Sequence, residues 1–169
     1  MVSDKIPAKI ITSDYLFTGI IACNGQRLQE ILNNNLTNYL RLHEVQVFRS
    51  TDTATEIADF REATIAKAKI DLVLGYNDEH EAPNKRLYAY VPKNRYEVCI
   101  TVSGCVVRGQ LHMPSAPDSY AFLVQEAREF FPLTDATILF ASSASQPLQS
   151  SVAMVRKAAI ALFSIGERV

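Results

Sequence analysis

The sequence predicts an α+β fold built from two tandem ββαββ units whose antiparallel sheets pack about a pseudo-two-fold axis. Three observations predict it. The chain matches itself at a displacement of about ninety residues, most apolar residues alternate with polar ones at the strand period of two, and one short stretch switches to helical spacing.

The self-match runs through three blocks that keep their order. "ITSDYLFTGII" from Ile11 lies over "TVSGCVVRGQL" from Thr101, pairing Ser13 with Ser103 and Gly19 with Gly109. "YLRLHEVQV" from Tyr39 lies over "FFPLTDATI" from Phe130 with one residue of slippage, so that Leu42 meets Leu133 and Glu44 meets Asp135. Finally Ile65, Lys67, Ala68, Ile70 and Leu72 fall on Val155, Lys157, Ala158, Ile160 and Leu162. The expected organisation is a first unit over residues 7–75, a connector over 76–96 that can add one strand, and a second unit over 97–166. "YNDEHEAPNKR" has the polar, Pro-containing composition of such a connector.

Within the first unit, Ile10 to Ser13 and Leu16 to Ala22 read as a hairpin closed by a Ser-Asp turn. Gly19 interrupts the second strand, and Gly109 repeats it, which points to a bulge or a close backbone approach. "QRLQEILNNNL" then sets Leu28, Ile31, Leu32 and Leu36 on one helical stripe, with the Asn33-Asn34-Asn35 run as a stop through left-handed backbone. "VQVFRS" and "TIAKAKIDLVL" return to the strand period; in the latter Ile65, Ala68, Ile70, Leu72 and Leu74 alternate with Lys67, Lys69 and Asp71. The second unit departs from this at Ala158, Ala159 and Ala161, which are good helix formers. A unit this small buries little by itself, so the two copies are expected to shelter each other as a fused homodimer.

Composition narrows the function. With 17 Lys plus Arg against 18 Asp plus Glu there is no net field to steer the protein toward nucleic acid or an anionic bilayer. No run of about 18 apolar residues is present, and the first twenty residues lack the continuous apolar run of a signal peptide, so the expectation is a cytoplasmic protein without membrane insertion. Cys23, Cys99 and Cys105 are odd in number and have no C-x-x-C spacing, which argues for reduced thiols and against a zinc site.

The stretch that follows Gly19, with "RLQEILN" from Arg27 and "YLRLHEV" from Tyr39, resembles a family of small bacterial domains of unknown function. Its members share a G-x-[ILV] strand, an R-L-x-[DE]-x-L-N helix and an [FY]-[IL]-x-L-x-[DE]-V strand. The first unit fits all three; the second keeps Gly109 and "FFPLTDATI" but has "SYAFLVQEA" in place of the helix motif. The resemblance implies a fold and supplies no activity.

No catalytic signature is present: there is no G-x-S-x-G, H-E-x-x-H, P-loop or G-x-G-x-x-G, so no catalytic residue, metal ligand or cofactor is assigned. His43, His80 and His112 share no useful spacing, and along one strand His112 and Cys105 would sit at opposite ends. The charged positions whose type recurs are Lys67 with Lys157 and Glu44 with Asp135; under a two-fold arrangement they would line a shared groove suited to a small anionic ligand. The plainer reading puts the lysines on a solvent-facing strand, blunting its edge. Arg86, Tyr88, Tyr90, Lys93 and Arg95, with Tyr96, form the densest basic and aromatic stretch, the composition of a stacking platform for single-stranded nucleic acid, although half-buried strands favour Tyr too. The expected function is therefore a non-enzymatic structural or interaction protein that joins partners, or further copies of itself, through exposed strand edges. A ligand site or an enzyme site between the units, and a single-strand binder, are the alternatives.

Overall fold

The computed structural model describes residues 4–75, 93–115, 118–142 and 146–169. The first half runs β1 (Lys5–Ile11), β2 (Tyr15–Ala22), α1 (Leu28–Asn33), β3 (Tyr39–Arg49), β4 (Asp52–Ala66), a 3₁₀ turn (Lys67–Lys69) and β5 (Leu72–Gly75). The second runs β6 (Asn94–Val102), β7 (Cys105–Met113), α2 (Ser119–Gln125), β8 (Phe130–Phe140), β9 (Leu148–Arg156), a 3₁₀ turn (Lys157–Ala159) and β10 (Ile160–Arg168). All ten strands belong to one sheet in the order β10-β6-β7-β8-β9-β5-β1-β2-β3-β4, and every neighbouring pair is antiparallel.

The α+β expectation is overturned. The fold is mainly β, because the helices are only six and seven residues long while β3 and β4 extend over eleven and fifteen. The ββαββ unit is wrong as well, and its failure lies in "TIAKAKIDLVL". The chain does not run through it as one strand: β4 ends at Ala66, the 3₁₀ turn interrupts it, and β5, running in the same sense as β4, lies beside β1 with Ile11 opposite Leu72. The apolar spacing of two survives across the break, since strands on both sides alternate, so periodicity alone could not reveal it. β10 lies against β6 in the same way, Leu162 opposite Thr101 and Phe163 opposite Ile100.

The pseudo-two-fold axis is overturned by the seam between the halves. A two-fold would pair equivalent strands, β5 with β10 or β4 with β9. Instead β5 pairs with β9, with Leu72 opposite Val155, Val73 opposite Met154 and Leu74 opposite Ala153. The halves therefore join head to tail by backbone hydrogen bonds.

Alternation along β5 and β9 explains why this seam is stable. Leu72, Leu74, Ala153 and Val155 face a core made with Val98, Ile100, Phe131, Leu133 and α2's Phe122. Val73 and Met154 face a second core with Ile6, Ile10, Leu40, Leu42 and α1's Leu28 and Leu32. Since successive strand residues point to opposite faces, the two cores lie on opposite sides of the sheet, and the seam is buried on both. Each large apolar side chain covered there stabilises by about 1.5–3 kcal/mol.

Local chemistry sets several elements. Gly19 and Gly109 do mark bulges. Between Thr18 and Ile20 the partner β3 carries two residues, Glu44 and Val45, and between Arg108 and Gln110 the partner β8 carries Asp135 and Ala136. A Cβ at Gly19 would stand 3.2 Å from the carbonyl oxygen of His43, and one at Gly109 3.1 Å from that of Thr134. The β6–β7 hairpin turns on Ser103 and Gly104, both at positive φ, as a two-residue hairpin loop requires. Helix α1 stops at Asn33, but Asn34 is extended rather than left-handed, and Leu36 is exposed beyond the helix instead of extending its stripe.

Candidate functional site

Lys67 and Lys157 each begin a 3₁₀ turn, where the sheet delivers them to the end of a helix. Lys67 is buried, and its Nζ donates to the carbonyl oxygens of Ile31 at 2.7 Å and Asn34 at 3.0 Å and to Thr37 Oγ1 at 3.0 Å. Lys157 Nζ donates to the carbonyl of Glu126, the C-cap of α2, at 2.5 Å. The last carbonyls of a helix lack intrahelical donors and carry partial negative charge, so an ammonium group satisfies both needs. Burial pushes the Lys67 pKa below the ordinary lysine value. Neither lysine sits on a solvent-facing strand surface, and each serves the helix of its own half.

Glu44 and Asp135 recur for a different reason. Both have positive φ, 52° and 49°, and both are the inserted residues of the bulges opposite Gly19 and Gly109. They share no groove with the lysines. Glu44 lines a concavity with Gln46, Phe60 and Arg61, while Asp135 lines another of about 460 Å³ with Glu97, Arg108 and Thr137.

A cleft of about 370 Å³ does lie between the halves, with Asn34, Asn35, Thr37 and Lys67 on one side and Glu129, Phe130 and Arg156 on the other. Its cations are committed to the fold. Lys67 has three acceptors, and Arg156 donates from Nε to the carbonyl of Ile70 at 2.6 Å and from Nη2 to Asp71 Oδ1 at 2.7 Å, with Glu129 3.7 Å from Nη1. Asp71 also accepts from the hydroxyl of Ser103, so residues of both halves meet around one buried carboxylate. Asn33 adds a two-way clasp: its amide donates to the carbonyl of Phe130 at 2.9 Å and its Oδ1 accepts from the Phe130 N–H at 2.9 Å. Sequence reasoning missed Arg156, Asp71 and Asn33, because each is specific to the seam and has no recurring counterpart to flag it.

The thiols and imidazoles offer little chemistry. Burial pushes the Cys105 thiol up to about 11, with the charge of Asp71 adding to it, and burial followed by Asp4 raises Cys23. Such thiols stay protonated at neutral pH and are poor nucleophiles. His112 stands at the far end of β7 from Cys105, hydrogen-bonded to Thr134 Oγ1 at 2.7 Å. Among the described residues, no group of three or more His, Cys, Asp or Glu is placed to hold a metal ion, and no helix is long and apolar enough to cross a membrane.

Of the basic and aromatic stretch, Arg86, Tyr88 and Tyr90 lie outside the described residues, as do His80 and the connector strand. Lys93 is exposed beside β6. Arg95 is exposed on β6 and reaches Gln110 Oε1 at 3.4 Å, while Tyr96 is a core residue and not a stacking surface.

What remains open is the pair of sheet edges. Among the described residues, β4 is hydrogen-bonded to β3 alone and β10 to β6 alone. Ile57 and Phe60 on β4, and Leu162 on β10, are large apolar residues exposed along them. The class so defined is a mainly-β protein whose ten described strands form one sheet, with Lys67 and Lys157 bonded to the ends of its helices. No family model, no curated protein and no solved structure matches the chain.

Proposed function

We propose that this protein is a non-enzymatic interaction element that joins an assembly by strand addition at the open edges of its sheet. The observation that carries this reading is that β4 and β10, fifteen and nine residues long, each have a strand partner on one side only among the described residues. An unpaired edge offers a row of N–H and C=O groups to another strand, and edges not meant for pairing are kept short or guarded by lysine and proline. β4 and β10 contain neither residue, and although β4 carries Asp52, Glu56, Asp59, Arg61 and Glu62 and β10 carries Glu167 and Arg168, the stretches Ala63–Ala66 and Ile160–Gly166 carry no charge. The commitment of Lys67 and Arg156 to backbone carbonyls further favours interaction over ligand binding in the cleft.

Light scattering across micromolar concentrations tests the reading, comparing the natural chain with Phe60→Lys and Leu162→Lys. Both positions are exposed, so the variants should keep the natural circular dichroism and lose association. A natural chain that stays monomeric throughout and takes up no partner in a pull-down would defeat the reading.

A further inference from the structure

On the strength of the interaction reading above, we infer that the partner is a second copy of this chain, added head to tail, with β10 of one copy paired antiparallel to β4 of the next in the register of the internal seam.

The register follows from correspondences within the fold. β10 lies on β6 as β5 lies on β1: Leu162 opposite Thr101 matches Leu72 opposite Ile11. β4 lies on β3 as β9 lies on β8: Ile65 opposite Leu40 matches Val155 opposite Phe131. The internal seam sets Leu72 against Val155. Its repetition between copies sets Leu162 against Ile65, Phe163 against Thr64 and Ser164 against Ala63.

Both free edges carry what this seam would cover. Leu72 is 0 % exposed because the second half packs over it, whereas Leu162, in the same place at the free end, is 54 % exposed. Phe130 is buried at the seam in the core of the first half, whereas its counterpart Tyr39, which opens β3 opposite Ala66 as Phe130 opens β8 opposite Arg156, lies in the open. Val124, in the last turn of α2 as Asn33 is in that of α1, is exposed as well. The polar partners change together. Where the seam has Arg156 facing Asp71, the free edges have Ala66 and Ala161, so bringing them together strands no charge. A matched loss on two surfaces that are far apart in one chain is expected when they meet each other. A seam between unlike edges does not exhaust itself in a dimer: it continues to a closed ring or an open fibre, whichever the rotation per copy dictates.

Cysteine pairing tests the register. In a Cys99→Ser background, Leu162→Cys chains are mixed with Ile65→Cys chains and mildly oxidised, and light scattering is run on the same samples. The mixture should give a disulfide-linked pair at several-fold higher yield than either variant alone, and Leu162→Lys should abolish the association. Association with no mixed link, or with Leu162→Cys linking to itself equally well, would overturn the head-to-tail register while leaving the interaction reading standing. A strictly monomeric chain would remove the head-to-tail pairing, and one that also takes up no partner in a pull-down would remove the interaction reading.

Discussion

Phe130 and Tyr39 occupy the same position in the two halves, yet Phe130 is 1 % exposed and Tyr39 is 64 % exposed. Each opens the strand that follows a helix, and each is paired with the last residue of the next strand. The difference comes from the seam: the first half lies over Phe130 and clasps its backbone through Asn33, and no described residue does this for Tyr39. Tyr39→Ala should therefore cost under about 1 kcal/mol and Phe130→Ala about 3–5 kcal/mol in urea denaturation. Equal costs would show that the two sites are covered alike.

Lys67 should behave as a structural cation. Lys67→Met leaves the carbonyls of Ile31 and Asn34 without their donor in a buried place and should destabilise by about 2–3 kcal/mol. Lys157→Met removes one carbonyl bond from a less buried side chain and should cost about 1 kcal/mol. Chemical denaturation of both variants checks the order, which a role confined to ligand binding would not produce.

The bulges give a prediction with two signs. Gly19→Ala drives a Cβ to 3.2 Å from a backbone oxygen that belongs to a sheet ladder, and should cost about 1–3 kcal/mol. Glu44→Gly should instead stabilise by up to about 1 kcal/mol, because it relieves an L residue held at positive φ. Asp135→Gly should gain less, since Asp tolerates this conformation better than Glu. Thermal melts of the three variants decide it.

These residues also show how far the sequence could be read. Recurrence at a fixed displacement picked out Gly19 with Gly109, Glu44 with Asp135 and Lys67 with Lys157, and all six hold positions that both halves need. It gave the reason for the two glycines but not for the other four residues, because a bulge residue at positive φ and a lysine reaching a helix end have no local signature. The strand-period run through Ala66 hid a break at Lys67–Lys69 that carries the chain from beside β3 to beside β1, and with it the fifth strand of each half. Without β5 there was no edge for β9 to meet, so a face-to-face pair about a two-fold looked like the only way to bury the cores. Asp71 and Arg156, which hold the actual seam, were invisible for the same reason: Ala161 and Ala66 stand in their places in the other copy.

The seam pair should be costly to break singly and cheap to remove together. Arg156→Ala leaves Asp71 buried with Ser103 as its one remaining side-chain hydrogen bond among the described residues, and should destabilise by about 3–5 kcal/mol; Asp71→Ala should do much the same. The double variant recreates the alanine pair of the free edges and should recover part of the loss, so that the double-mutant cycle yields a coupling of about 1–3 kcal/mol. Strict additivity would mean that the two residues do not support each other across the seam.

Glu126 supplies the pH dependence. Its carboxylate accepts Arg128 Nε at 2.8 Å and Nη2 at 2.7 Å, and those hydrogen bonds, ahead of the opposing effect of burial, hold its pKa below the ordinary glutamate value. Because the folded value is depressed, the stabilisation is fully present above the unfolded pKa and is lost as the pH falls through the folded one. The pair is partly open to solvent, so the contribution should be about 0.5–1 kcal/mol. Glu126→Gln should lower stability at neutral pH by that amount and flatten the acid limb of the stability curve. A curve that shifts down in parallel at all pH values would place the loss in packing, and not in the ion pair.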